Sequence, residues 1–215
     1  MDATRSGALV IACGALAHEI AALRRLNGWE ALDVQCLPPE LHNVPDQIPG
    51  RVREAIAAAR SRYARIFVAY ADCGTGGRLD ALLQAEGIER LPGAHCYEFY
   101  ATAQRFSALA EQEPGTFYLT DFLVRHFERL VAQTLGIDRH PQLIAEYFRN
   151  YRRVVYLVQD PGNSDVAYAR SIAVRLGLEF EVHTVGYGQL ESSLRQVAAP
   201  AAAAVPAEVR VAWPR

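Results

Sequence analysis

Four cysteines, Cys13, Cys36, Cys73 and Cys96, are the residues of this sequence best suited to chemistry. Cys13 and Cys73 are each followed by glycine, and no two form a CxxC pair. Two histidines accompany them: His42 follows the Pro38-Pro39 turn after Cys36, and His95 precedes Cys96. The thiolate is the form that binds metal or attacks an electrophile, and its pKa falls beside a helix N-terminus or a cation. Three thiolates and a histidine suit tetrahedral Zn²⁺. Three cysteines with an open position equally suit iron or an iron–sulfur cluster. We take Cys13, Cys73 and Cys96 as the main trio, with His42 or His95 as the fourth ligand. His95 and Cys96 point opposite ways in an extended chain, so both serve only if the loop turns them inward. Cys36 sits within the strand pattern Val34-Gln35-Cys36-Leu37 and is expected to face the core. The plainer reading of all four is burial as small apolar side chains.

Other groups could assist. Gly74, Thr75, Gly76 and Gly77 resemble an anion cradle at a helix N-terminus, able to hold an anionic part of a substrate. No Lys-Ser or Lys-Thr follows, as a P-loop requires, and GxGxxG is absent, so a tight turn that needs glycine is an equal reading. Asp72, Glu98 and Glu40 are candidate proton carriers, with no ground for choosing among them. A bound zinc would lower the pKa of a water or thiol and create a nucleophile at neutral pH. Methyl-transfer, hydrolytic and lyase chemistry all fit such a centre. A closed four-ligand structural site is the non-catalytic alternative. A metal-free enzyme with Cys73 as nucleophile is another.

The elements that must position these residues alternate. Strands are expected at Gly7–Ala12, Ala31–Leu37, Ala64–Tyr70, Arg153–Gln159 and Leu178–Val185, short runs suited to burial on both faces. Helices are expected at Ala15–Asn27, Asp46–Tyr63, Arg78–Glu86, Tyr97–Gln112, Asp121–Leu135 and Pro161–Leu176, the last capped by Asn163 or Ser164. The alternation predicts a Rossmann-like α/β fold: a parallel sheet with helices on both faces, in two βαβ blocks, 7–96 and 150–197. The segment 97–150 between them reads as helical. Its aromatics, among them Phe117, Tyr118, Phe122 and Tyr147, suit either core or a homodimer face. One domain over 1–197 and an Ala/Pro-rich tail over 198–215, with a last strand at Val209–Trp213, complete the expected layout. In open parallel sheets ligands bind beyond the carboxyl ends of the strands, where all four cysteines fall.

Composition bounds the function. The chain has 215 residues, 51% hydrophobic and 21% charged, with formal net charge −2. Those values are ordinary for a globular protein and give no argument for nucleic acid or an anionic membrane as partner. No apolar run reaches the roughly 20 residues needed to span a bilayer, and no targeting segment is evident. The expected compartment is the cytoplasm, where the thiols stay reduced.

Three stretches carry a resemblance: Leu37-Pro38-Pro39-Glu40-Leu41-His42-Asn43, Asp72-Cys73-Gly74-Thr75-Gly76-Gly77-Arg78-Leu79-Asp80, and His95-Cys96-Tyr97-Glu98-Phe99-Tyr100. Together with Cys13-Gly14, they resemble a bacterial and archaeal family known only as domain of unknown function 1638, over roughly residues 8–195. Members of that family are often found among genes for corrinoid-dependent methyl transfer. The resemblance therefore implies a link to one-carbon metabolism, with corrinoid methyltransferase proteins as partners. The metal centre itself would leave one coordination position open for a small-molecule substrate, such as a thiol or methylated amine. The sequence itself has no corrinoid-binding signature.

Overall fold

The computed structural model describes residues 7–199. The first half alternates strand and helix: β1 (Ala8–Cys13), α1 (Ala17–Asn27), β2 (Leu32–Leu37), α2 (Ile48–Ala59), β3 (Arg65–Ala69), α3 (Arg78–Glu86) and β4 (Glu89–Arg90). The middle holds α4 (Cys96–Ala101), α5 (Ala103–Gln112), β5 (Thr116–Thr120), α6 (Asp121–Arg125), and two short helices, α7 (Gln133–Leu135) and α8 (Ile144–Tyr147). β6 (Arg153–Val158), α9 (Val166–Leu176), β7 (Glu179–Thr184) and α10 (Gly188–Ala198) follow.

All strand pairing is parallel, and the strands form two sheets. The first runs β2-β1-β3-β4 and the second β5-β6-β7. β1 is buried from Leu9 to Cys13, and β6 is buried along its whole length. Such continuous apolar runs are what strands covered on both faces require. α10 returns to the first sheet: Leu190, Leu194 and Val197 join the core built by β1, β3, α1 and α2. Its start lies so close to α4 that a Cβ on Gly188 would meet Phe99 O at 2.2 Å.

Five expectations from the sequence need correction. The middle segment is not wholly helical, because Thr116–Thr120 is a strand that pairs with β6. The helix expected over Tyr97–Gln112 breaks at Thr102, which sits at φ +70° and caps α5 with its hydroxyl at 3.5 Å from Arg105 N. The helix expected over Asp121–Leu135 is interrupted by a π-helical turn at Glu128–Ala132. The cap of α9 is Asp165, which accepts from Tyr168 N at 2.8 Å, and not Asn163 or Ser164. Val197 and Ala198 finish α10 instead of opening a linker. The remaining tail, with the strand expected at Val209–Trp213, lies outside the described residues. Among the described residues no helix is long and apolar enough to cross a membrane.

Two buried charges clamp the second sheet. At its amino edge Arg153, 3% exposed, donates to Thr116 Oγ1 (2.9 Å), Leu109 O (2.8 Å) and Glu181 Oε1 (2.8 Å). At its carboxyl edge Asp121 accepts from the Tyr156 hydroxyl (2.7 Å), Gln159 N (3.1 Å) and Asp160 N (2.8 Å). A buried carboxylate is tolerated when donors saturate it in this way. Asp121→Ala is expected to lower stability by about 3 kcal/mol or more, since three buried donors lose their acceptor. Tyr156→Phe removes one donor and is expected to cost about 1 kcal/mol. Denaturant midpoints measure both, and a loss below about 1 kcal/mol for Asp121→Ala would contradict the clamp.

Candidate functional site

The first sheet has a topological switch point. From β1 the chain moves outward to β2, then crosses back to β3 on the other side of β1. The connections leaving the carboxyl ends of β1 and β3 therefore diverge and leave a crevice, the place where open α/β sheets bind ligands. The second sheet, in order β5-β6-β7, has no such reversal.

Cys13 ends β1 at this crevice and is 3% exposed. Its sulfur accepts from Ala15 N at 3.4 Å, capping the turn that leads into α1. Gly14 is required beside it: a Cβ there would lie 2.9 Å from both Leu37 O and Pro39 Cδ. That close approach brings the 3-10 turn Pro39–Asn43 against β1 and sets His42 Nδ1 3.6 Å from Cys13 Sγ.

Cys73 arrives from β3 at φ +51°, a left-handed conformation uncommon for a residue with a side chain. Two backbone bonds fix it against the loop after β4: Asp72 N to Gly93 O (3.1 Å) and Cys73 N to Ala94 O (2.9 Å). The same loop carries Cys96 into the first position of α4. Beyond burial, the charge of Cys73 disfavours ionisation of Cys13, and the charges of Cys73 and Cys13 disfavour that of Cys96. Burial pushes Cys13 up to about 12, with Cys73 adding to the rise. Burial pushes Cys73 up to about 11, and Cys96 well above the thiol range, the latter helped by Cys73 and Cys13. The lowering expected for Cys73 from a helix N-terminus does not arise, because α3 begins only at Arg78 and burial dominates.

Tyr70, one residue past β3, was not singled out from the sequence. It is 1% exposed, and its hydroxyl has no hydrogen-bond partner. That hydroxyl lies beside Cys13, though outside hydrogen-bond geometry, and burial followed by the charge of Cys13 raises its pKa. An orphaned buried hydroxyl is rare and calls for an explanation. The signal available in the sequence was its place at the carboxyl end of a buried strand.

The other expected residues are distributed as follows. His42 keeps solvent exposure, yet the protein around it and then His95 hold its pKa below the usual value. His95 is exposed before α4, its ring 6.2 Å from that of Tyr97. Cys36 pairs with Ala12 on edge strand β2 and is exposed, not core-facing as expected. Asp72 fills the glycine turn itself, accepting from Thr75 Oγ1 (2.5 Å), Gly76 N (3.1 Å) and Gly77 N (2.9 Å). The anion cradled by Gly74–Gly77 is thus the chain's own carboxylate. Although partial burial opposes it, these bonds leave Asp72 below the usual carboxylate range. Glu98 accepts from Ala94 N at 2.8 Å and fixes the Cys96 loop, while Glu40 forms an ion pair with Arg129. Among the described residues no three His, Cys, Asp or Glu side chains are already placed to share one ion.

A cleft of about 200 Å³ opens beside Cys96 and His42, with Cys13 and Cys73 outside its wall. Asn43 and Thr120 add polar groups, and Tyr97, Phe122 and Val131 are among its apolar walls. It spans the two sheets, so the site draws on both halves of the chain.

Gly14→Ala is expected to lower stability by about 1–3 kcal/mol, because backbone on β2's exit has no room to give way. Gly50→Ala, where a Cβ meets nothing within 4 Å, serves as the comparison and is expected to be neutral or stabilising. Equal midpoints for the two variants in denaturant would contradict the close approach.

No curated protein and no solved structure matches the chain. One family model does, described as protein of unknown function (DUF1638), over residues 36–194. The matched span takes in Cys36, His42, Cys73, His95 and Cys96, and Cys13 lies before it. Since the match extends over more than half of its length, the chain belongs to the DUF1638 family.

Proposed function

We propose that the chain is a metal-dependent enzyme whose centre is held by Cys13, Cys73, Cys96 and His42, with one further coordination position left open for a small substrate. The observation that carries this reading is the meeting of Cys13 and His42 at the β1/β3 switch point, 3.6 Å apart, beside a buried Tyr70 hydroxyl that has no partner. Thiolate and imidazole are the donors that Zn²⁺ favours, and iron is the alternative. Burial holds the protons on the three thiols, and metal binding would displace them. His42 is preferred to His95 because it approaches a thiol. Full coordination would require the Cys73 or Cys96 loop to close further on Cys13.

When bound, the metal would supply a Lewis acid at the mouth of the cleft. The chain's own residues would do the rest. Tyr97, Phe122 and Val131 would exclude water from a small, largely apolar substrate such as a thiol. Tyr70 would donate its unpartnered O–H to a group on the substrate or the centre. The adjoining cleft favours catalysis over a closed structural site. The high thiol pKa values disfavour a metal-free cysteine nucleophile, which needs a thiolate at neutral pH. The tie to corrinoid-dependent methyl transfer, and to methyltransferase partners, follows from the family resemblance alone.

Protein purified without oxygen is expected to carry about one zinc or iron per chain by elemental analysis, in line with a single site. Cys13→Ala, Cys73→Ala, Cys96→Ala and His42→Ala are each expected to lose most of it, and Cys36→Ala is expected to retain it. No metal in the parent, even after anaerobic reconstitution, would overturn the proposal.

A further inference from the structure

A second cavity, of about 270 Å³, lies between α1 and the carboxyl ends of β5 and β6. Three carboxylates, two guanidiniums and one imidazole stand around it: Glu19, Asp121, Asp160, Arg25, Arg125 and His18. Most of these charges are already satisfied. Asp121 uses both oxygens on three donors. Asp160 accepts from Gly162 N at 3.0 Å and Asn163 Nδ2 at 2.6 Å. Arg125 lies 3.5 Å from Glu19 Oε1. Arg25 is exposed on the rim.

Glu19 is the exception. The residue is 4% exposed, and its Oε2 is buried with no hydrogen-bond partner. A buried carboxylate oxygen without a donor is costly, and few are left so. What the cavity lacks is therefore a donor. The charge balance adds a sign, since the carboxylates outnumber the guanidiniums. The hydroxyl of Tyr187, also in the wall, feels that field: after burial, the charges of Asp160, Glu19 and Asp121 raise its pKa. An anion entering the cavity would leave Oε2 unpaired and add to the repulsion.

We propose that this cavity binds a small organic cation carrying N–H donors, a protonated amine or an amidinium, whose N–H bonds to Glu19 Oε2. The site is separate from the cysteine cluster and does not rest on a metal being bound there.

The test is a titration of the full chain, ¹⁵N-labelled, followed through its amide resonances. Ethylammonium and acetamidinium are the probes. Tetramethylammonium keeps the charge without N–H, and acetate reverses the charge. The expected result is saturable shifts at Glu19, Asn163 and Tyr187 with the two N–H cations and none with the controls. Glu19→Gln is expected to weaken binding about tenfold, the scale of one charge-assisted hydrogen bond. Arg125→Gln, a change at an exposed residue, frees Glu19 Oε1 and is expected to tighten binding. Equal shifts with tetramethylammonium, saturation by acetate, no saturable shift with either probe, or unchanged affinity in both variants would each overturn the proposal.

Discussion

A parallel sheet cannot reverse its winding without opening a crevice at the point of reversal, and this sheet reverses between β1 and β3. Everything chemically distinctive in the first half follows from what the chain places there. Cys13 ends one of the two strands, and Tyr70 and Cys73 follow the other. Backbone bonds from Asp72 and Cys73 to Gly93 and Ala94 extend the sheet's reach and draw the Cys96 loop to the same rim. Gly14 lets the turn that bears His42 pack against β1. Removing any of these restraints would separate groups that are distant in sequence.

Burial sets the character of the crevice. Desolvation keeps the thiols protonated, and the charge of Cys73 makes Cys13 and Cys96 harder still to ionise. A cluster of this kind is inert towards electrophiles while it stands alone. A cation among the sulfurs reverses the balance, because it favours the same charges that burial disfavours. The second cavity follows the same rule with oxygen in place of sulfur: a carboxylate held in the wall, one oxygen paired with Arg125 and the other lacking a donor. In both places an unsatisfied buried group marks where a ligand would gain the most.

Much of the fold was legible in the sequence because buried parallel strands are continuous apolar runs. β1, β2, β3, β6 and β7 were expected within about two residues of their bounds, and α3 ends at Gly87 as its composition implied. β5 was missed although Pro114-Gly115 announces a turn before Thr-Phe-Tyr-Leu-Thr. Its aromatics read equally well as a helix face, and only pairing with β6 decides the matter. The break at Thr102, at φ +70°, was equally hidden, since neither Ala101, Thr102 nor Ala103 is a local breaker. At the site, cysteine and histidine identities were visible, but the partners of the carboxylates were not. Asp72 looked like a proton carrier until its bonds to the glycine turn were known. Glu40 and Glu98 likewise hold structure together. Tyr70 and Glu19 went unnoticed because what distinguishes them is a missing partner, a property of the folded chain alone.

The central claim is that sulfur from three separate loops meets on one ion. X-ray absorption at the metal edge of the reconstituted protein tests it without knowledge of a substrate. The expected spectrum shows a first shell dominated by sulfur at about 2.3 Å with lighter scatterers at about 2.0 Å, as three thiolates, one imidazole and a water or substrate in the open position require. A shell of nitrogen and oxygen alone would contradict the account and leave the cysteines as packing residues of the crevice.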